Sequence, residues 1–334
     1  MKKLLLLVVL AMLVPVMIFA GGQADSGQTI DDNFFDKTVK IIIPYGAGGT
    51  HDVVARKIAE VGSRSRYTNA PIVCVQETGG DGLVAAIHFT TKDPNVRELL
   101  TTSYGLWYQK IVKGDAINLD LSKIHPIGTF DDRSYLLYVR SDSPYQTLED
   151  LIAESKKREV VLSAGAVGAD AHLCFGGLIN QAGGKSRIAS YEGGAQQIAA
   201  LLNGEVDCFV GTSQVGKQYL ELGQVRAITT FKDFDFTGFK DELGIVVPNV
   251  ADAGYPQSAI TGGGMLSVRT GTDESYIADV EELIKKVWAD PDFSNFTTDI
   301  GLNIFDIYGD DLTKHIEKAA ANATLSAKSL GLID

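Results

Sequence analysis

Apolar residues in this chain gather in short runs that alternate with stretches of helical spacing, and clusters of glycine stand at the joints. Residues 39–43, VKIII, are β-branched and closed by Pro44, which predicts a strand ending at a turn. Beyond the loop Tyr45, Gly46, Ala47, Gly48, Gly49 and Thr50, the residues Val54, Ile58 and Val61 fall at i, i+4 and i+7, one buried face of a helix. The unit recurs. Strands are predicted at 72–75, at 99–102 before Ser103, Tyr104 and Gly105, at 135–139, at 160–162, and at 206–210 before Gly211, Thr212, Ser213 and Gln214. Helices are predicted over 147–156, over 171–181 with Gly183 and Gly184 ending it, and around Ile198, Leu201 and Leu202 after Tyr191, Glu192, Gly193 and Gly194. The last third adds strands at 225–229 and 265–268, a helix through Ile277, Val280, Ile284, Val287 and Trp288 that stops before Pro291, and a long helix over 310–330. Such alternation predicts an α/β chain whose parallel strands are covered on both faces.

The joints carry the candidate chemistry. Glycines between 46 and 49 let backbone N–H groups approach a ligand, and Asp52 or Thr50 is placed to cap the helix. Unpaired N–H groups and the positive dipole end make that helix start a socket for an anion. Residues Gly165, Ala166, Val167, Gly168 and Ala169 repeat the design, with Asp170 as the expected cap of the next helix. Ligands in sheets of this kind bind outside the carboxyl ends of the strands.

Charge and the N-terminus narrow the class. Lys2 and Lys3, an apolar run over 4–20 and small residues at 21–24 read as a secretory signal peptide over 1–24, with a flexible leader over 25–35; an uncleaved membrane anchor is the rival reading. The formal net charge is −12, and removal of Lys2 and Lys3 takes it to −14, a balance that excludes nucleic acid as a partner. A small anion remains admissible, since oriented backbone dipoles bind it locally. Cys74, Cys174 and Cys208 lie among apolar neighbours and read as buried free thiols, with Cys174 and Cys208 the one pairing near enough to consider.

Catalytic signatures fail one after another. The dinucleotide fingerprint suggested by Gly46, Gly48 and Gly49 needs glycine where His51 stands. A phosphate loop ending at Gly184, Lys185 and Ser186 would begin with glycine at Ile179, and Ser213 has its second glycine one place late, at Gly216. The five histidines show no metal-ligand spacing, so neither a metal nor a cofactor is expected and the chain does not read as an enzyme. His172 is expected to hold its loop by a hydrogen bond.

Taken together, the stretches IIIPYGAGGTHDVVAR, HPIGTF, SPYQTLEDLIAESK, VGADAHL, SYEGGAQQIAALLNGEVDCFVG, QVRAITT and WADPDF resemble, in order, the extracytoplasmic solute receptors of tripartite tricarboxylate transporters, the TctC or Bug family. The most distinctive positions are Pro44, Gly48, Gly49, Asp52 and Arg56. The resemblance implies a two-lobed Venus-flytrap fold of the periplasmic-binding-protein type II kind, each lobe a mainly parallel sheet flanked by helices. It further implies lobe one at 36–138 plus 230–334, lobe two at 139–229, and hinges near Val139 and Thr229. A monomeric periplasmic receptor would then close on a small organic carboxylate and deliver it to a membrane permease.

The strand-end loops of both lobes would form the pincers: Tyr45 to Thr50 and Asp52, Ser103 and Tyr104, Gly165 to Asp170, Tyr191 to Gly193, Thr212 and Ser213. Ala169 removes a hydroxyl that the family often carries, and Asp170 and Glu192 bring negative charge to the mouth, which disfavours a tricarboxylate and suits a ligand with an ammonium group. A ligand sensor and an exported enzyme using the same cleft are the competing functions.

Overall fold

The computed structural model describes residues 33–334 except 166, 192, 301, 303, 305 and 306. The expected signal peptide and most of the leader lie outside the described residues, but the leader's end does not stay loose. Phe34 and Phe35 are buried edge-on against each other, and the Phe34 N–H donates to Asp279 at 2.7 Å.

Two five-stranded sheets form the body. The first is built from β1 (Val39–Ile43), α1 (Thr50–Gly62), β2 (Ile72–Gln76), α2 (Leu83–Thr90), β3 (Glu98–Ser103), α3 (Gly105–Lys113) and β4 (Ile124–Arg133). The second takes β5 (Tyr135–Arg140), α4 (Leu148–Lys157), β6 (Glu159–Ala164), α5 (Asp170–Gln181), β7 (Lys185–Ser190), α6 (Gly193–Leu202), β8 (Cys208–Thr212), α7 (Ser213–Glu221) and β9 (Val225–Thr230). An antiparallel pair, β10 (Phe236–Phe239) and β11 (Ile245–Val247), flanks the short α8 (Lys240–Leu243). The chain then returns to the first sheet through β12 (Gly262–Arg269) and closes with α9 (Glu274–Trp288), α10 (Pro291–Asp299) and α11 (Gly309–Ser329).

Strand order is β2-β1-β3-β12-β4 in one sheet and β7-β6-β8-β5-β9 in the other. In each, the strands joined through helices pair in parallel, while the pairs that involve the strands carrying the chain between sheets are antiparallel. The sheets are therefore mixed. A strand that arrives from the other sheet has no helical crossover to turn it around, so it enters running the opposite way.

The crossing itself is abrupt: β4 ends at Arg133, β5 begins at Tyr135, and only Ser134 lies between. Residues Tyr135 to Val139 thus already pair within the second sheet. Phe236, Phe239 and Val247 also pack with Leu136, Tyr138 and Phe209 of the second sheet, so the return to the first comes after β11. Beneath the cleft, one apolar cluster runs from Tyr104 and Tyr108 through Leu137, Leu162 and Phe175 to Leu312 and Ile316, and α11 packs on α3, β4 and α5. All three cysteines are free; Cys174 and Cys208 are buried and Cys74 is half-buried on β2.

Candidate functional site

Five helices, α1, α3, α5, α6 and α7, begin at the carboxyl ends of β1, β3, β6, β7 and β8. Each contributes to the wall of a single cleft of about 390 Å³, through Thr50 and His51, Gly105, Asp170 and Ala171, Gly194 and Gln197, and Val215. Their N-terminal N–H groups and dipoles make the cleft favourable to a negative group without any net positive surface.

The two glycine-rich joints are built alike. In the first, Gly48 takes φ +78°, Gly49 is the N-cap, and the Gly48 N–H donates to Asp52 Oδ2 at 2.9 Å. In the second, Gly168 takes φ +81°, Ala169 is the N-cap, and the Gly168 N–H donates to His172 Nδ1 at 2.9 Å. Neither cap uses its side chain. The expectation that Asp52, Thr50 or Asp170 caps its helix is thereby corrected. Asp52 sits in the first turn and reaches back to the loop, held also by Arg56 Nε at 2.9 Å, whereas Asp170 turns into the cleft. His172 holds its loop as expected.

Charge concentrates at the floor, where the chain crosses between sheets. Asp131, 1 % exposed, accepts from Arg133 Nε at 3.0 Å. Burial disfavours the charge of Arg133, but Asp131, Tyr135 and Asp170 outweigh it and raise the guanidinium above its ordinary value, so it stays protonated. The Tyr135 hydroxyl donates to Asp170 Oδ2 and is also hydrogen-bonded to Arg133. Gly262, Gly263 and Gly264 on β12 make this arrangement possible: a Cβ at each would lie 2.7 Å from the Tyr135 ring, 2.9 Å from the Tyr104 ring and 2.3 Å from the Phe130 ring.

His51 is 5 % exposed, packed between Tyr45 and Phe130, and neither ring nitrogen has a hydrogen-bond partner. Burial first, and Arg133 second, push its pKa well below the usual histidine value. It is neutral at pH 7 and adds no positive charge to the cleft.

The residues singled out from sequence are distributed as follows. Tyr45, Thr50, Ser103, Gly165, Ala169, Asp170 and Thr212 line the cleft, and Tyr45 and Ser103 share a hydrogen bond at 2.8 Å between their hydroxyls. Gly46, Ala47, Gly48 and Gly49 are exposed on the first loop, and Asp52 is buried behind it. On the second loop Val167 is 60 % exposed and Gly168 is buried against Val112. Tyr104 lies in the core below, Ser213 is buried at the start of α7, and Tyr191 turns its hydroxyl to Glu205 at 3.1 Å. Gly193 opens α6, while Ala166 and Glu192 lie outside the described residues. Sequence reading missed Arg133, Tyr135, His51 and Gln197. Arg133 follows Asp131 and Asp132 in a charged run that resembles a solvated turn, and nothing in its spacing shows that a buried crossing strand ends there.

The model of the tripartite tricarboxylate transporter family receptor, TctC, matches residues 54–332. The chain belongs to that family. It is 24 % identical over 278 residues to the UPF0065 protein in the gbd 5′ region of Cupriavidus necator, covering 82 % of this chain and 81 % of that one. Among solved structures, a TctC solute-binding protein from Polaromonas superposes with a TM-score of 0.73 at 18 % identity, over 89 % of this chain and 97 % of the other. Rpa4515 of R. palustris, solved with adipate, gives 0.70 at 20 % identity, over 88 % and 97 %. These likenesses establish the two-sheet binding-protein fold, and family membership makes this TctC protein a solute-binding receptor rather than an enzyme. Among the described residues no helix is long and apolar enough to cross a membrane.

Proposed function

We propose that this receptor captures a small carboxylate-bearing solute in the cleft between its two sheets and delivers it to a tripartite tricarboxylate-type membrane permease. The observation that carries the reading is the convergence of five helix N-termini and the Arg133 guanidinium on one cleft. Each dipole contact is worth about 0.3–1 kcal/mol and a charge-assisted hydrogen bond about 1.5–3. A few of each reach the roughly 8 kcal/mol of micromolar binding. Adipate in a solved structural neighbour, Rpa4515 of R. palustris, supports the ligand class. The size of the cleft, near the lower end of ligand pockets at about 390 Å³, suits a solute of that scale.

Release and capture follow from rotation of one sheet body against the other at the crossings, the first of them Ser134, where one residue separates two strands of different sheets. The protein acts in the periplasm, exported by the N-terminal segment. Thermal midpoints measured with citrate, succinate, adipate, aspartate and glutamate test the ligand class, since a ligand at 100 times its Kd stabilises by about 2.7 kcal/mol. Mass spectrometry of the molecule retained on gentle purification identifies the natural one. A panel in which no carboxylate raises the midpoint, together with a retained molecule lacking a carboxylate, overturns the proposal.

A further inference from the structure

We propose that capture in this cleft is proton-linked through His51: as the anionic group of the solute enters, the imidazole takes one proton from solvent and donates it as a hydrogen bond to that group. The inference rests on the carboxylate-capture reading above and adds a coupling to it. Its starting point is a difference between the two glycine-rich joints. Counted from the glycine at positive φ, Thr50 and His51 match Asp170 and Ala171, and His51 and Ala171 line the cavity at equivalent positions. A methyl group suffices in the second joint, so the scaffold itself does not require an imidazole in the first.

The ring is poorly served by the protein around it. His51 is 5 % exposed, its ring centroid lies 4.3 Å from that of Tyr45 and 5.3 Å from that of Phe130, and both nitrogens are buried without a hydrogen-bond partner. Buried polar atoms nearly always have one, and a neutral imidazole brings a donor and an acceptor to be satisfied. The neighbouring polar groups bond elsewhere. On the same helix Asp52 accepts from the Gly48 N–H and from Arg56, and on β4 Asp131 accepts from Arg133. On α5 Asp170 accepts from the Tyr135 hydroxyl, and the Tyr45 hydroxyl is bonded to that of Ser103. Arg133 is the charge that acts on the ring, and it opposes protonation, as burial does more strongly.

A solute carboxylate changes both conditions at once. It supplies the missing acceptor, and an anion within about 4–6 Å favours the imidazolium. The same anion offsets the field of Arg133. The ring nitrogen that meets it gains a charge-assisted hydrogen bond, and the proton returns to solvent when the solute leaves. Before capture the ring titrates well below the ordinary histidine value, and after capture it titrates higher. Proton uptake therefore occurs at pH values between the two, and affinity rises as pH falls through the higher one, by at most about ten-fold per pH unit for one proton.

Calorimetry on the full mature chain tests this with adipate, succinate, aspartate and glutamate as probes, in MES, bis-tris and imidazole buffers at about pH 6.5, the ordinary histidine value. The slope of the measured heat against buffer ionisation heat counts the protons taken up with each solute. For the probes that bind, the expected result is an uptake of about 0.3 to 1 proton and an affinity about two- to ten-fold higher at pH 6.5 than one unit above. His51→Gln, and His51→Ala, which copies the second joint, should abolish the uptake, flatten the pH profile and subtract any proton carried by the probe itself. Wild-type binding without proton uptake, or an uptake that persists in both variants, overturns the proposal and leaves the carboxylate receptor intact. Should neither variant fold, nitrogen NMR of the wild-type histidines decides: one imidazole must change from neutral to imidazolium on loading, and the lack of such a change overturns the proposal. If no probe binds in any buffer, the capture reading falls and this inference with it.

Discussion

The two glycine-rich jaws share a backbone and differ in chemistry. Both place glycine at a positive φ, give the next residue to the N-cap, and turn the residue four places on from the glycine back to accept its N–H at 2.9 Å. The latch is a carboxylate in the first jaw and an imidazole in the second. Packing differs as well. A Cβ on Gly48 meets nothing within 4 Å, whereas one on Gly168 would stand 2.7 Å from Val112 Cγ1 on α3. The first jaw is thus free-standing and held by charge; the second is wedged and held by a ring that burial keeps neutral.

Substituting the paired glycines separates the two most strongly. Gly168→Ala should cost about 2–5 kcal/mol, from a left-handed backbone of about 1–2 and an overpacked contact of about 1–3. Gly48→Ala carries only the backbone part, about 1–2 kcal/mol. Urea unfolding of both variants checks the difference, and equal losses would show that the wedge against Val112 is slack.

Acidification comes next. Burial lowers the His172 pKa, so the folded protein keeps this ring neutral where an unfolded chain would protonate it. Its contribution is complete above about pH 6.5 and is lost as pH falls from there through the lower folded value. For Asp52, burial raises the pKa, but the hydrogen bonds from Arg56 and the Gly48 N–H outweigh it and hold the carboxyl below its ordinary value. That latch persists until pH falls below about 4. Hydrogen exchange followed as pH falls below about 6.5 should therefore show the second jaw losing protection before the first. Simultaneous loosening would mean that the two are coupled through the shared cluster under the cleft.

Smaller effects complete the series. Asp52→Ala should cost about 1 kcal/mol, the usual worth of a side chain that satisfies a helix-start N–H. Arg56→Ala should cost less than Asp52→Ala, because Arg56 is half-exposed, although its partner Asp52 is buried, and solvent screens its side of the ion pair. Thermal or urea denaturation resolves the first; the second serves as its control, and a loss as large as that of Asp52 would show that the ion pair, not the N–H, holds the first jaw.

What could be read from the sequence was local. The helix expected from Thr147 begins there, where Thr147 and Asp150 form a capping box, and α1, α5 and α9 bury their faces where apolar period and breakers place them. What could not be read was decided by distant partners. Strand β4 carries Pro126, register shifts against β12 and the charged run from Asp131 to Arg133, so it shows no alternation; its identity comes from lying beside β12, more than a hundred residues later. The edge strand β7, KSRIAS, is polar because one side of it has no neighbour to pack. Asp170 looked like a cap because acids at helix starts usually are, and only the Tyr135 hydroxyl, brought in by the crossing at Ser134, shows why it turns inward. His51 registered merely as a missing glycine.

The three thiols carry a consequence for a protein whose family works in an oxidising compartment. Burial pushes Cys174 and Cys208 well above the ordinary thiol range and raises Cys74 to about 11, so the reactive thiolate is at most about one part in ten thousand at pH 7. Disulfide exchange needs that anion. A chain with an odd number of cysteines would otherwise be exposed to mispairing by oxidoreductases and to covalent dimers on storage. Here weak acidity lowers thiol reactivity, the risk that a disulfide or a serine substitution removes elsewhere.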